Sequence, residues 1–284
     1  MPVKEFFPMP ELPEVETLCR QLKQVILDKE IRSFEIIDSK LTAGEGLEGR
    51  RVLSVGRQGK ALEMKLDDGD GITILLHLRL TGRLLWQGDN NFSFPHTRFT
   101  ISFPHGRLDC IDPRRFATLS VQKTGFSDFD DRLEACPTGM VVEPLKDFYA
   151  SRLWEMARRR KIPVKSFLMD QRFIAGIGNI YASEILYEAF VNPWQKTDSL
   201  SPAKWQEIEE ATTSILNRAI VCRGTTVSDW RDLFGRKGEY QRYLKVYARQ
   251  GRPCPRCQAA IQYMHLSGRG TYFCPTCQKP TNNG

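Results

Sequence analysis

The stretch that decides the fold is Cys254–Cys277, CPRCQAAIQYMHLSGRGTYFCPTC, which spaces four thiols as C-x2-C-x16-C-x2-C. Each Cys-x2-Cys turn can deliver two thiolates, and two such turns joined by a β-hairpin offer four ligands to one tetrahedral Zn²⁺. A reducing compartment disfavours a disulfide pair, and two matched pairs disfavour a redox Cys-x2-Cys. A segment this short hardly folds without its metal. Cys254, Cys257, Cys274 and Cys277 fill all four positions, so the expected Zn²⁺ is structural, and no organic cofactor is expected. Within LSGRGTYFC, Arg269 lies between Gly268 and Gly270, which leave the backbone clear for a phosphate or reacting group. On these residues alone an exposed turn arginine is an equal alternative.

Outward from this module the charge is unevenly divided. The 284 residues carry 41 Lys+Arg against 34 Asp+Glu, a net +7. Residues 1–151 hold 20 and 23 of these, or −3, and residues 152–284 hold 21 and 11, or +10. A basic C-terminal half points to a polyanionic partner, with a solubilising surface as the alternative. At 41% hydrophobic and 26% charged, the chain is neither disordered nor collagen-like. Its longest apolar runs, such as Ile72–Leu76, are far short of the roughly 18–20 residues that span a bilayer. MPVKEFFPMPELPEVET has no apolar core of signal-peptide type, so the cytoplasm is the expected location. Cys19, Cys110, Cys136 and Cys222 are scattered and read as small buried hydrophobes.

Residues 10–29 read as a helix, with Val15, Leu18, Leu22, Val25 and Ile26 at helical spacing and Glu14 and Glu16 in the first turns. From Ile31 to about Val121 the pattern becomes strands broken by Gly, Asp and Asn turns: an antiparallel β domain with a helix packed on it. CPTGMVVEPLKD (136–147) looks like a linker. Helical stretches follow, beginning with Phe148–Met156, then Pro163–Asp170, Tyr181–Phe190 and Pro202–Val221. Gly176-Ile177-Gly178-Asn179 makes a tight turn before one of them, which aims backbone N–H groups at a phosphate. Most such turns merely connect helices; the nearby run Arg158–Lys161 and Lys165 favours the phosphate reading, though a basic run is usually a solvated face. Together these features describe a nucleic-acid clamp and do not by themselves give a reaction.

MPELPEVETLCRQL, beginning at Met9, resembles the start of the bacterial formamidopyrimidine-DNA glycosylases, which repair 8-oxoguanine. The resemblance runs in order along nearly the whole chain through GKAL, HLRLTG, DPRRF, FLMDQRFIAGIGNIYASEILYEA, KVYARQGRPCPRC and GRGTYFCPTCQ. PELPE is more like this branch than the endonuclease VIII branch, which usually starts PEGPE. The implied fold is α+β and multidomain: an N-terminal helix with an antiparallel β-sandwich, a helix-two-turns-helix domain and a zinc-finger hairpin, with DNA in the cleft. The expected divisions are an extension at 1–9, a catalytic domain at 10–135, the linker at 136–147, the helical domain at 148–245 and the finger at 246–284.

The resemblance implies a chemistry residue by residue. Pro10 is the nucleophile: its secondary amine attacks C1′ of the damaged nucleoside, expels the base and leaves an iminium link. Glu11 is the general acid/base on the sugar, and Glu14 helps orient the lesion pocket; both would also serve as charges at a helix N-terminus. Lys60 assists β-elimination and contacts phosphate, and Arg269 grips phosphate and has a role in δ-elimination. The target base must leave the duplex, and Leu80, Arg114 and Phe116 fill the gap. Leu80 stands where methionine is usual and Arg79 where glycine is usual, which bears on lesion preference. His96, Arg160, Lys161, Lys165 and Asn179 contact phosphates. Thr225 and Thr226 begin the segment that closes over the flipped base, with Lys237–Tyr243 in it; a disordered loop is the plain alternative, and both can hold.

These residues imply an enzyme that removes oxidised purines (8-oxoguanine, formamidopyrimidines) from duplex DNA and nicks the abasic site by β,δ-elimination. It is expected to work as a monomer on duplex DNA carrying oxidised bases or abasic sites. An endonuclease VIII-like preference for oxidised pyrimidines and a non-catalytic damaged-DNA-binding relative are the alternatives. A departure from the pattern is Met1–Pro8 ahead of Met9-Pro10. An internal proline has an amide nitrogen without a nucleophilic lone pair, whereas an α-amine of pKa about 8 is partly neutral near pH 7.5. The expected working form therefore begins at Pro10 and has 275 residues, the 284 less the first nine.

Overall fold

The computed structural model describes residues 9–41, 46–67, 71–88, 92–123 and 141–280. Met1–Pro8, Cys136 and the first part of the expected linker lie outside these residues. The chain divides into two compact units: the described parts of Met1–Phe129 together with Cys222–Glu239, and those of Asp130–Val221 together with Tyr240–Gly284.

The first unit begins with helix α1 (Leu12–Ile26). It is shorter at both ends than the 10–29 expected. Glu11 is extended at φ −101° and ψ −173°, and beyond the extended Leu27, Asp28 turns into the left-handed region at φ 59°, which a right-handed helix cannot continue through. Its buried stripe of Val15, Leu18, Leu22 and Ile26 packs on β2 (Val52–Gln58) and β3 (Ala61–Leu66). These strands belong to an antiparallel sheet of order β2-β3-β4-β8, with β4 at Ile72–His77 and β8 at Thr118–Lys123. The other sheet has the order β1-β6-β7-β5, from Ser33–Ile36, Thr97–Phe103, Gly106–Ile111 and Arg83–Gln87, and it too is antiparallel. Leu62, Met64, Ile74 and Leu76 of one sheet join Phe99, Ile101, Leu108 and Cys110 of the other in a single apolar core. The antiparallel sandwich expected from the period-2 stretches is thus present; alternation is clearest in β3, where Leu62, Met64 and Leu66 are buried between more exposed neighbours.

Cys222–Glu239, inside the stretch assigned above to the helical domain, packs with this unit. Trp230 and Leu233 join its core. Gln21 of α1 donates to Asp232 Oδ2 at 2.9 Å and accepts from the Leu233 N–H at 2.9 Å. The Trp86 N–H donates to the Leu233 carbonyl at 2.8 Å. These bonds strap the segment to the sandwich.

The second unit holds α2 (Ala150–Ala157), α3 (Val164–Met169), α4 (Asn179–Glu188), α5 (Pro202–Val221) and the hairpin β9 (Gln262–Leu266)–β10 (Arg269–Phe273). Leu153, Phe167, Ile180, Tyr181, Ile185, Trp205 and Leu216 are buried in it. Helix α4 starts two residues earlier than the expected 181, directly out of the glycine turn. Among the scattered cysteines, Cys19 and Cys110 are buried as expected, but Cys222 is only half-buried. No described helix is long and apolar enough to cross a membrane.

Candidate active site and nucleic-acid interface

The first unit gathers the expected catalytic carboxylates at the start of α1. Pro10 is buried immediately before the helix, and Glu11 and Glu14 are buried at 3% and 2% exposure. Glu14 Oε2 accepts the Glu11 N–H at 3.0 Å, in the manner of a capping box. Its other oxygen, Oε1, accepts the Thr225 N–H at 2.6 Å. One carboxylate thus ties the helix start to the strap. Gly224 beside it is at φ 77°, and a Cβ there would lie 2.5 Å from Glu14 Oε1. Only glycine allows this approach. Thr226 Oγ1 continues the tie, donating to the Trp230 carbonyl at 3.0 Å and accepting from the Gly238 N–H at 2.9 Å.

Lys60 is buried in the β2–β3 turn, where Gly59 takes φ 55°. Across the sheet, its neighbour Ala61 pairs with His77 at the end of β4. Desolvation pushes the His77 pKa down to about 3, and the charges of Arg79 and Lys60 act in the same direction. His77 Nδ1 accepts the Arg79 N–H at 3.0 Å, which leaves the proton of the neutral ring on Nε2. His77 was not singled out from the sequence; its signal lay in HLRLTG, quoted above only as a motif.

The expected gap-filling side chains stand out from the surface. Leu80 and Phe116 are 40% and 46% exposed, large values for apolar residues. Arg114 and His96 are also exposed. Arg79 and Arg115, each just before an apolar wedge, sit at φ 54° and 59°. The usual glycine at position 79 therefore has a backbone reason: the turn requires the left-handed region, and arginine occupies it here under strain.

In the second unit the expected phosphate contacts separate into two kinds. Lys161 is exposed. Lys165 is not: at 1% exposure its ammonium donates to Asn179 Oδ1 at 2.7 Å, the Gly270 carbonyl at 3.2 Å and Thr271 Oγ1 at 2.8 Å. Asn179 Nδ2 donates to the same carbonyl at 3.0 Å. The two residues clamp the finger hairpin to the start of α4, with the Lys165 ammonium turned inward onto these protein acceptors. Arg160 is likewise engaged locally, 4.4 Å over the Phe173 ring and donating to the Met156 carbonyl. Gly176, at φ 102°, makes the turn that brings Asn179 to the helix N-terminus.

The hairpin tip holds Ser267 and Gly268 at φ 48° and 74°, the pattern of a type I′ turn, with Arg269 exposed beside it. Gly270 lets the Tyr263 ring pack against the hairpin backbone, since a Cβ there would fall 2.6 Å from the ring and displace it. Beneath the hairpin, the Sγ atoms of Cys254, Cys257, Cys274 and Cys277 lie within 4.8 Å of one another. Cys254–Cys277 and Cys257–Cys274 are 3.8 and 3.4 Å apart. A tetrahedron of sulfurs with Zn–S near 2.3 Å has edges of about 3.8 Å, so these residues fit one Zn²⁺. Bound there, the ion supplies structure and has no open position for chemistry.

A β-sandwich with buried carboxylates at a helix start, joined in sequence to a helical module and a four-cysteine finger, defines a class of DNA-repair glycosylase. The chain belongs to the formamidopyrimidine-DNA glycosylase family. Residues 9–119 match the model of the formamidopyrimidine-DNA glycosylase N-terminal domain, 140–230 that of its H2TH domain, and 251–280 that of the zinc finger found in FPG and IleRS. The formamidopyrimidine-DNA glycosylase of Pelotomaculum thermopropionicum is 39% identical, over 95% of this chain and 99% of the relative. That of Chloroflexus aggregans is 38% identical, over 95% and 98%. Among solved structures, the MutM (Fpg) protein of Thermus thermophilus is 34% identical with a TM-score of 0.85, covering 95% of this chain and 99% of that one. The Lactococcus lactis Fpg in complex with DNA containing an abasic site is 31% identical with a TM-score of 0.82, over 95% and 99%.

Proposed function

We propose that this chain is a base-excision DNA glycosylase and AP lyase that removes oxidised purines from duplex DNA, acting in the bacterial cytoplasm. The observation that carries the reading is the Pro10–Glu11–Glu14 arrangement at the start of α1, with both carboxylates buried. As a free N-terminus, the Pro10 nitrogen attacks C1′ of the flipped nucleoside. The N-glycosidic bond breaks and the base departs with the proton of the amine; the C1′–O4′ bond then opens, O4′ taking a proton, and an iminium link to the ring-opened sugar remains. Glu11 moves protons at the sugar. Loss of a C2′ proton then expels the 3′ phosphate in β-elimination, assisted by Lys60, and a second elimination expels the 5′ phosphate, assisted by Arg269. We read the chain as a catalytic domain, a helical domain and a finger, a division supported by the three family matches at 9–119, 140–230 and 251–280. Lys161, His96 and Asn179 at the head of α4 serve the DNA backbone, and Thr225 and Thr226 the lesion pocket. Family membership and solved Lactococcus lactis Fpg complexes with Fapy-dG-containing DNA support the purine reading.

The test is borohydride trapping on a duplex with 8-oxoguanine opposite cytosine, followed by intact-mass analysis of the adduct. Attachment at Pro10 is expected. Strong trapping on protein that retains Met1, with attachment elsewhere, overturns the assignment. Excision of no oxidised base by protein beginning at Pro10, with tight binding of abasic DNA, would instead indicate a damage-binding relative. The Lactococcus lactis enzyme has also been solved with DNA containing an oxidised pyrimidine, which favours a second, pyrimidine-directed activity; a lesion panel separates the two.

A further inference from the structure

Leu80, His96, Arg114 and Phe116 stand on three separate short loops, none of which carries a core of its own. All three loops are fastened to one residue, two of them through its carboxylate and the His96 loop through its backbone N–H. Asp112 is fully buried. Its Oδ1 accepts from the Thr81 hydroxyl, next to Leu80, and from the Arg114 N–H at 3.2 Å. Its Oδ2 accepts the Ala117 N–H, next to Phe116, at 2.7 Å. Its own N–H donates to the His96 carbonyl at 3.0 Å, and its carbonyl accepts the Arg115 N–H at 3.2 Å. Behind it the buried Arg98 lies 3.5 Å from Asp112 Oδ2 and 2.6 Å from Asp38 Oδ2. Asp38 Oδ2 in turn accepts from Arg115 Nε at 2.8 Å.

We infer that Asp112, acting through Thr81, is a positioning residue that locks the Leu80 loop to the Arg114–Phe116 loop so that the two enter DNA as one rigid wedge. The inference rests on the glycosylase reading above. Opening a base step costs a few kcal/mol, and a wedge holds the gap only if its support does not yield. A loop free to fold back would lose insertion energy to its own motion. The left-handed backbones of Arg79 and Arg115 fit this role, because such strained residues persist only where neighbours over-determine them. The Thr81–Asp112 bond is a direct side-chain link between the two loops; the other hydrogen bonds of Asp112 hold its own loop and His96.

Thr81→Val removes that link while keeping the side-chain shape, and Thr81→Ser keeps the link. Two substrates separate positioning from chemistry. Excision of 8-oxoguanine from a duplex requires gap filling, whereas borohydride trapping on an abasic site in single-stranded DNA does not, since no opposite stack has been opened. Thr81→Val should lower kcat/KM on the duplex about fivefold, the effect of one buried hydrogen bond, chiefly through KM. Single-strand trapping should stay within about twofold, and Thr81→Ser should restore duplex excision. Asp112→Asn should show the same pattern more strongly; Thr81→Val carries the test if that variant does not fold. Unchanged duplex excision in Thr81→Val, or an equal fall on both substrates, overturns the inference. All variants are made in protein that begins at Pro10, and absence of trapping by that otherwise unchanged protein on either substrate overturns the glycosylase reading itself.

Discussion

Glu14 occupies the third position of α1, where any carboxylate favours the positive end of a helix dipole. Its position in the fold asks more of it. Both oxygens accept backbone N–H groups, one from Glu11 and one from Thr225, which lies 211 residues away in the chain. Glu14→Gln keeps the volume but turns an NH₂ group toward one of these donors. The expected cost is about 2 kcal/mol, the loss of a buried charge-assisted bond, read as a lower midpoint in urea unfolding. The carboxylate was legible from PELPEVE; its second partner was not, since nothing local to α1 indicates that a distant Gly224 leaves room for it. The roles of His77 and Asp112 are hidden in the sequence for the same reason. Each stands in a quoted motif, but its role comes from residues that only the β-sheet brings alongside.

At the scale of elements, charged side chains hold loops and hairpins to their neighbours. Asp38 has its pKa held well below the usual carboxylate range, first by its hydrogen bond from Arg115, against the opposing effect of burial, with Lys40 N–H and Arg98 assisting. A depressed folded-state pKa contributes stability that is fully present above the unfolded value of about 3.9 and is lost as pH falls from there toward the folded value. Asp38→Asn should therefore destabilise at pH 7, by about 3 kcal/mol as for one broken buried pair, and by progressively less below about pH 4. Thermal melts of both proteins across pH 2–7, on an approximate grid, check the sign. In the second unit, Lys165→Met leaves the Gly270 carbonyl, Thr271 and Asn179 without their shared donor. It should cost about 2–3 kcal/mol and weaken abasic-site trapping by loosening the Arg269 hairpin. If Lys165 acted mainly as a phosphate contact, the substitution would instead reduce the salt slope of DNA binding by about one and leave stability unchanged. The basic run and the glycine turn made a phosphate role for Lys165 the natural expectation. Its burial could not be read there, because the acceptors lie over 100 residues away at 270 and 271.

Over the whole molecule, the charge divides into an acidic half with the buried carboxylates and a basic half with the helical module and finger. Asn192 donates to the Gln278 carbonyl at 2.8 Å, Gln278 donates to the Val191 carbonyl at 2.8 Å, and Arg256 stacks 4.2 Å over the Tyr187 ring. Removing zinc with a chelator should therefore destabilise the second unit beyond the finger itself. Calorimetry should show its transition falling by more than about 10 °C, with the sandwich transition little changed and duplex binding lost. Equal shifts of both transitions would contradict this. The sequence by itself determined the element types, the zinc ligand set and the identity of the chemical groups, because these depend on periodicity, spacing and residue chemistry within short stretches. The tertiary structure alone decided that 222–239 packs with the sandwich, that Lys165 turns inward, and that Asp112 joins three loops. Those outcomes depend on which distant backbone groups must be hydrogen-bonded once buried, a requirement that arises only when the chain has closed on itself.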